Sequence, residues 1–157
     1  MEELEVFISK KEGAYLPVYA TNASSGMDLC AFVDKPVVLK PLARALIPTG
    51  IFIGIPDGYE AEIRPRSGIA YEYGVTVLNT PGTIDADYRG EIKVLLVNLG
   101  GKSFTIQNGD RLAQMIFKNI VRVNWKTVVD LPETKRGIGG FGSTGLRKSE
   151  DEKRGKS

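Results

Sequence analysis

The sequence predicts an all-β domain, and three observations indicate it. Short runs of β-branched and aromatic residues recur along the chain and are separated by Gly, Pro and Asn. Within one run, Ile51, Ile53 and Ile55 alternate with other residues at the period of a strand. No segment shows the periodicity of a long amphipathic helix. Many short strands separated by turns favour a sandwich or barrel, and 157 residues suffice for one domain with a sizeable core.

Each element follows from its local pattern. We expect strands at 5–9, 28–33, 37–39, 45–48, 51–55, 59–64, 75–78, 91–98, 103–106, 112–123 and 127–129. One short helix is expected over 68–73, with the Ser67 hydroxyl as its cap. The segment 79–91 is expected to form a tight hairpin, because turn-forming glycines lie within it. The apolar run 92–97 is then a buried return strand.

Composition narrows the possible partners. The net charge is +2, so no broad basic field indicates a nucleic-acid partner. The chain has no apolar run long enough to cross a bilayer, and its acidic N-terminus lacks the apolar stretch of a signal peptide. The single cysteine, Cys30, has no partner for an internal disulfide, which favours a cytoplasmic location.

The chain contains no histidine. This excludes Ser-His-Asp and Cys-His catalysis in their usual forms, and also the His/Cys zinc site of zinc deaminases. If the protein is an enzyme, its chemistry rests on carboxylates, arginines and a hard metal ion.

Two polar clusters follow predicted strands. The segment 82–91 places Asp85, Asp87, Tyr88 and Arg89 between glycines, and loops on rigid strands are where sites are usually built. Alternatively, the two aspartates are turn formers on a solvated hairpin. The segment 65–68 combines an arginine, a hydroxyl and a helix N-terminus, which suits phosphate oxygens. It is equally consistent with a capped helix that carries a surface arginine.

Two further segments are ambiguous taken alone. Asp110 and Arg111 precede an apolar strand, and they form either a turn or a structural ion pair. Gln114 is a polar residue within that strand. Gln114 faces solvent or needs a buried partner. Asp28 is either an Asx-turn residue or a carboxylate held near a cation.

The C-terminal part changes character at residue 135. The segment 135–145 is nearly half glycine, and it is either a flexible linker or a segment that orders over a nucleotide. The aromatic ring of Phe141 and the hydroxyls of Ser143 and Thr144 favour the second interpretation. Residues 146–157 are mostly charged and are expected to be disordered. We therefore divide the chain into a β core at 1–134, a mobile lid at 135–145 and a tail at 146–157.

Five segments, in this order, resemble the motifs of the trimeric dUTPases. They are Ser25-Gly-Met-Asp-Leu-Cys-Ala31, Pro65-Arg-Ser-Gly68, Gly82-Thr-Ile-Asp-Ala-Asp-Tyr-Arg-Gly90, Gly109-Asp-Arg-Leu-Ala-Gln114 and Arg136-Gly-Ile-Gly-Gly-Phe-Gly-Ser-Thr-Gly145. The match spans about 17–145. The third and fifth segments are the most specific. The chain departs from the pattern at two places. Met27 stands where an aromatic is frequent, and the pair Ile63-Arg64 stands where both residues are usually apolar.

The resemblance implies a jelly-roll-like β-barrel or sandwich with one short helix and a glycine-rich C-terminal lid. It implies a homotrimer with three shared sites. The implied reaction is Mg²⁺-dependent hydrolysis of dUTP to dUMP and pyrophosphate, which keeps uracil out of DNA and supplies dUMP for thymidylate synthesis.

The resemblance also implies residue roles. Asp85 activates the water that attacks the α-phosphorus, and Asp28 reaches the metal through water only. The substrate contacts that the resemblance implies form five groups. The phosphates are contacted by Arg66, Ser67, Gly68 and Gln114, and uracil by Asn79, Thr83, Ile84 and Lys93. The deoxyribose is contacted by Asp85 and Tyr88, the face of the base by Phe141, and the γ-phosphate by the segment that contains Arg136, Gly142, Ser143 and Thr144.

Two other functions explain part of the sequence. A dCTP deaminase has a related fold and no zinc, and ammonia release from dCTP distinguishes it. A non-catalytic β-sandwich binding module explains the strands but gives no reason for the segment 136–145.

Overall fold

The computed structural model describes residues 3–140, and within them it contains only β-strands, one seven-residue helix and connecting turns. The elements in chain order are β1 Phe7–Lys10, β2 Val18–Tyr19, β3 Met27–Cys30, β4 Val37–Leu39, β5 Arg44–Gly54, β6 Tyr59–Pro65, α1 Ser67–Tyr73, β7 Val75–Val77, β8 Gly82–Ile84, β9 Ile92–Asn98, β10 Phe104–Ile106 and β11 Arg111–Asn119. The prediction of an all-β, jelly-roll-like fold with one short helix is confirmed.

The strands form three antiparallel sheets. A four-stranded sheet has the order β1-β5-β9-β7, a five-stranded sheet has the order β2-β3-β11-β6-β8, and β10 pairs with β4. The core draws on both larger sheets. Ile92, Val94 and Leu96 of β9 are at most 1% exposed and belong to the same apolar cluster as Ile63 and Met115. Alternate residues of one strand reach this core, since side chains alternate across a sheet. The expected buried strand at 92–97 is thus confirmed.

Residues 44–54 form one strand where the sequence predicts two. The register to β9 shifts between Pro48 and Ile51, so the strand continues through a bulge. At the bulge, the buried Thr49 hydroxyl donates to the Ile92 carbonyl over 2.6 Å. Gly50 has a φ of +69°, and a Cβ there would lie 2.6 Å from the Ala14 Cβ. A glycine is therefore required at this position.

The predicted hairpin at 79–91 is wrong. β8 pairs with β6 in the five-stranded sheet, whereas β9 pairs with β5 and β7 in the four-stranded sheet. The loop 85–91 therefore crosses from one sheet to the other. Turn-forming residues specify a reversal of the chain, but they do not specify which strand each arm pairs with.

The helix is found where expected, but its cap is not. Its N-cap residue is Arg66, and no side chain caps the helix, so the predicted Ser67 cap is wrong. The helix ends at Gly74, which has a φ of +69° and donates its N–H to the Ala70 carbonyl. No helix within residues 3–140 is long and apolar enough to cross a membrane.

The chain divides into two compact units at Arg122/Val123. The described part of the second unit, 123–140, contains no strand, so the strand predicted at 127–129 is wrong. Its most regular feature is a turn in which Gly137 donates its N–H to the Thr134 carbonyl over 3.0 Å. The predicted boundary at 134/135 lies inside this unit, and the predicted boundary at 145/146 and the tail 146–157 lie outside the described residues.

Candidate active site

A polar cavity lies where β3, β11 and α1 meet, and we call it the arginine cavity. Its volume is about 310 Å³. The lining residues are Asp28, Arg66, Ser67, Gly68, Ile69, Glu72, Tyr73 and Gln114. The structure thus brings together the four residues of the β core that are predicted to contact phosphates and the aspartate predicted to reach a metal through water.

Asp28 is held between two guanidinium groups. Its Oδ1 lies 3.1 Å from Arg66 Nε, and its Oδ2 lies 3.3 Å from Arg111 Nη1. Arg66 Nη1 also donates to the Arg111 carbonyl over 3.0 Å. Of the sequence alternatives, the structure therefore shows a carboxylate near cations. The guanidinium of Arg66 in the cavity lining offers the planar N–H donors that suit phosphate oxygens, while the Asp28 and Glu72 carboxylates balance the charges of Arg66 and Arg111.

Arg111 is a site residue that the sequence reasoning missed. The alternative considered from sequence, an Asp110–Arg111 ion pair, does not describe these side chains. Asp110 accepts the Gln107 N–H over 2.7 Å, while Arg111 reaches Asp28. The position of Arg111 depends on the pairing of β11 with β3, which local sequence does not reveal.

Gln114 is half-buried and has a fixed partner. Its Nε2 donates to the Pro65 carbonyl over 3.0 Å, which fixes the side-chain amide beside the chain segment that carries Arg66. Gly26 makes room for this side chain, since a Cβ on Gly26 would lie 2.7 Å from Gln114 Oε1. The amide oxygen and nitrogen at the cavity are thereby oriented.

The helix adds residues that the sequence reasoning did not assign. Glu72 and Tyr73 line the arginine cavity together with Ser67 and Gly68. A hydrogen bond to the Glu72 carboxylate raises the pKa of Tyr73 above its ordinary value. Gly68 and Glu72 are four residues apart on one helix and therefore lie on the same face. This spacing could have predicted that Glu72 lies at the same cavity as Gly68.

The second cavity lies beside the loop 85–91, and we call it the tyrosine cavity. Its volume is about 410 Å³. The lining residues are Leu46, Thr83, Ile84, Asp85, Tyr88, Glu91 and Lys93. It collects the predicted general base, the predicted sugar-contacting ring and three of the four residues predicted to recognise uracil. Leu46 and Glu91 are additions that the sequence reasoning missed.

Hydrogen bonds between neighbouring residues define the shape of the loop 85–91. The Tyr88 N–H donates to the Asp85 carbonyl over 3.1 Å, which closes a turn. Arg89 Nη1 donates to the carbonyls of Ala86, at 2.6 Å, and Tyr88, at 2.9 Å. Asp87 lies in this turn and is exposed, as its interpretation as a turn former requires. The Asp85 side chain is also exposed, and it faces the cavity.

The arginine and tyrosine cavities have no lining residue in common. Within one chain, the residues of the β core predicted to bind phosphates therefore line one cavity, and most of those predicted to bind the nucleoside line another.

Three groups of predicted site residues lie elsewhere. Asn79 lies against Gly82, where a Cβ would be 3.1 Å from Asn79 Nδ2, and it does not line the tyrosine cavity. Arg136 belongs to the second compact unit, where its Nε donates to the Gly139 carbonyl over 2.8 Å. Phe141, Gly142, Ser143 and Thr144 lie outside the described residues.

The carboxylates of residues 3–140 do not form a metal cage of their own. No cluster of three or more His, Cys, Asp or Glu side chains is suitably placed within this range. Both Asp28 oxygens already face arginines, so this carboxylate is suited to contact a cation through water. This donor set fits Mg²⁺ held mainly by the phosphates of a bound nucleotide, because Mg²⁺ usually keeps several waters.

Comparison with known proteins identifies the family to which this chain belongs. The dUTPase family model matches residues 12–145. The deoxyuridine 5'-triphosphate nucleotidohydrolase of Treponema denticola is 52% identical over 143 residues, which cover 91% of this chain and 99% of that protein.

Two solved structures share the fold. A dUTPase mutant of Staphylococcus bacteriophage 80alpha with dUpNHpp aligns with a TM-score of 0.80 at 24% identity, over 90% of this chain and 99% of that one. A mutant dUTPase from phage phi11 of S. aureus, described with a coordinated structural Mg(II) ion, aligns with a TM-score of 0.70 at 24% identity. That match covers 80% of this chain and 97% of the phage chain. The family model and the Treponema relative together show that this chain belongs to the dUTPase family.

Proposed function

We propose that this protein hydrolyses dUTP to dUMP and pyrophosphate, with water attacking the α-phosphorus. The observation that carries the proposal is the exposed Asp85 carboxylate beside Tyr88 in the tyrosine cavity. The Treponema relative carries the same activity in its name, and the bacteriophage 80alpha relative has been solved with a dUTP-like ligand, dUpNHpp.

Asp85 acts as the general base. In a chain without histidine, a carboxylate on an accessible loop is the group best suited to accept a proton from water. The carboxylate also contacts the sugar 3'-OH. The hydrogen bonds of Tyr88 and Arg89 within the loop keep the backbone at Asp85 in one conformation, which favours a defined position for the water.

The arginine cavity binds the triphosphate. Arg66 supplies a planar pair of donors, Ser67 supplies a hydroxyl, and Gln114 supplies an amide that the Pro65 carbonyl orients. Gly68 is exposed with nothing within 4 Å of a Cβ position, so its backbone is open to close approach by a phosphate.

Mg²⁺ is the cofactor that the donor set fits, with Asp28 as the protein contact through water. When bound to the triphosphate, the ion neutralises charge that develops on the leaving pyrophosphate. The phi11 relative, which shares this fold, is described with a structural Mg(II) ion, so magnesium is compatible with a protein of this fold.

The tyrosine cavity recognises deoxyuridine. Backbone groups around Thr83, Ile84 and Lys93 match O2, N3–H and O4 of uracil. The Asn79 side chain, the fourth group assigned to uracil, lies against Gly82 and does not line the cavity. Cytosine presents a donor where uracil has O4, so it leaves cavity groups mispaired, and such mispairing is discriminated strongly. The Tyr88 ring lies against the deoxyribose and leaves no room for a 2'-OH.

A complete site requires more than one copy of the chain. The two cavities have no lining residue in common, which is consistent with one dUTP being held between the arginine cavity of one copy and the tyrosine cavity of another. We propose the homotrimer with shared sites that the motifs imply. The segment 136–145 completes each site, with Arg136, Gly142, Ser143 and Thr144 at the γ-phosphate and Phe141 over the base.

Pyrophosphate release tests the proposal. With Mg²⁺ present, dUTP should be hydrolysed far faster than dCTP, dTTP or UTP. Ammonia from dCTP would instead indicate the deaminase, and nucleotide binding without turnover would indicate a binding module; family membership disfavours both.

We place the reaction in the cytoplasm, in line with the single cysteine.

A further inference from the structure

The Glu91 carboxylate lies at the edge of the tyrosine cavity and has two fixed partners. Only 12% of its side chain is exposed. Its Oε1 accepts the Gly50 backbone N–H over 2.9 Å, and its Oε2 accepts from Lys11 Nζ over 3.0 Å. Burial raises the pKa of Glu91, but the bonds from Lys11 and Gly50 outweigh it and hold that pKa below its ordinary value. Glu91 is therefore a charged, doubly bonded anchor.

The structure that receives this anchor is itself constrained. Gly50 occupies the bulge of β5 at a φ of +69°, where a Cβ would be 2.9 Å from the Phe32 ring. Its carbonyl accepts the Lys11 N–H over 2.8 Å, so the two segments that hold Glu91 also hold each other. A carboxylate bonded to both segments has one position rather than several.

The backbone of Glu91 in turn holds Tyr88. The Tyr88 hydroxyl donates to the Glu91 carbonyl over 3.1 Å. The ring folds back over Gly90, where a Cβ would lie 2.5 Å from Tyr88 Cζ. The location of the ring in the cavity thus depends on where the Glu91 carbonyl lies, and the two side-chain bonds of Glu91 restrain the residue that carries this carbonyl.

We infer that Glu91 is a positioning residue for sugar discrimination, acting through the Tyr88 hydroxyl. The inference rests on the proposed function, in which the Tyr88 ring excludes a 2'-OH. Exclusion of one hydroxyl requires a ring that does not move aside, because a mobile ring would give way to the larger ribose. The chain meets this requirement by anchoring the tyrosine to a strand that is bonded to β5.

The test measures kcat/KM for dUTP and UTP with the full chain and Mg²⁺. Glu91→Ala should lower the dUTP/UTP ratio by about tenfold, and Glu91→Gln, which keeps an acceptor for the Gly50 N–H, should lower it less. Tyr88→Phe keeps the ring and removes only the hydroxyl bond, so it should reproduce the loss. The double variant Glu91→Ala/Tyr88→Phe should lose no more than either single variant. If Glu91→Ala does not fold, the dUTP/UTP ratio is measured instead for Glu91→Gln and for Lys11→Met, which removes the Lys11 bond to Glu91 and should also lower the ratio.

The control is Thr49→Val, which removes the hydroxyl that donates to the Ile92 carbonyl and accepts the Ile51 N–H but takes no part in either Glu91 bond. It should lower thermal stability and keep the dUTP/UTP ratio. An equal loss of ratio in Thr49→Val, an unchanged ratio in Glu91→Ala or Tyr88→Phe, or additive losses in the double variant would overturn the inference while dUTP hydrolysis stands. A wild-type chain that releases no pyrophosphate from dUTP would overturn the proposed function and this inference together.

Discussion

Arg111 Nη1 lies 3.3 Å from Asp28 Oδ2, although 83 residues separate the two in the sequence. The contact forms because β11 and β3 are neighbours, and it gives the Asp28 carboxylate a second cationic partner besides Arg66. The Arg111 carbonyl also accepts from Arg66, so Arg111 contributes twice to the arrangement of the arginine cavity.

Arg111→Gln should weaken substrate binding. The side chain is more than half exposed, so solvent screens the ion pair, and we expect KM for dUTP to rise about two- to fivefold with kcat little changed. Steady-state kinetics measure this. Arg44→Gln, which removes an exposed arginine from β5, is the matched control and should leave KM unchanged. An Arg111→Gln enzyme with wild-type KM would remove Arg111 from the site.

Asp85→Asn should abolish turnover and spare binding. The amide is nearly isosteric with the carboxylate but does not accept a proton from water, so kcat should fall by ~10²–10⁴-fold or more. Single-turnover kinetics and equilibrium binding of dUTP separate the two effects. Asp87→Asn is the control, because Asp87 lies in the turn and should tolerate the change. Near-normal turnover by Asp85→Asn would exclude Asp85 as the base.

Glu62 should make the stability of the fold sensitive to acid. Hydrogen bonds from Arg64 and Lys118 hold the pKa of Glu62 below its ordinary value of 4.5. A carboxyl whose pKa is lower in the folded state stabilises the fold above its unfolded pKa, and this contribution is lost as pH falls through the folded pKa.

Glu62→Gln should therefore unfold at lower denaturant concentration than wild type near pH 7, and the difference should shrink below about pH 4. Urea unfolding at both pH values measures this. A difference that is the same at both pH values would show that the charge of Glu62 is not responsible. Arg64 takes part in this arrangement through its Nε, which donates to the Glu62 carboxylate over 2.8 Å.

Deletion of the residues after Thr134 should leave the thermal stability of the β core almost unchanged and remove most dUTP hydrolysis. The expectation rests on sequence: a glycine-rich segment has few apolar groups with which to dock, and ordering it costs conformational entropy unless a nucleotide supplies partners. Deletion after Gly145 is the control and should change little. Wild-type kcat/KM in the longer truncation would show that the segment is an idle linker.

The active species should be a trimer. Sedimentation velocity or light scattering at assay concentrations should give three times the chain mass of 17.1 kDa. Mixing an arginine-cavity variant with a tyrosine-cavity variant should restore part of the activity, because shared sites then combine intact cavities from different copies. A stable and active monomer would refute the shared site.

Local pattern was enough for elements whose evidence lies within a few residues. The apolar run at 92–97 predicted a buried strand, and the side chains of Ile92, Val94 and Leu96 do fill the core. The loop residues Asp85 and Tyr88 could be grouped from sequence because they are neighbours along the chain, and the structure places both at one cavity.

The all-β class, the core strands and the residue types available for chemistry follow from local pattern, because side-chain period and composition are local properties. Three features required the folded chain: 82–98 joins two sheets instead of forming a hairpin, Arg111 contacts Asp28, and the Glu91 carbonyl accepts from the Tyr88 hydroxyl. Each of these depends on which distant strands pair and in what register. Backbone hydrogen bonds can form with many partners, and only the burial of the whole core selects among them.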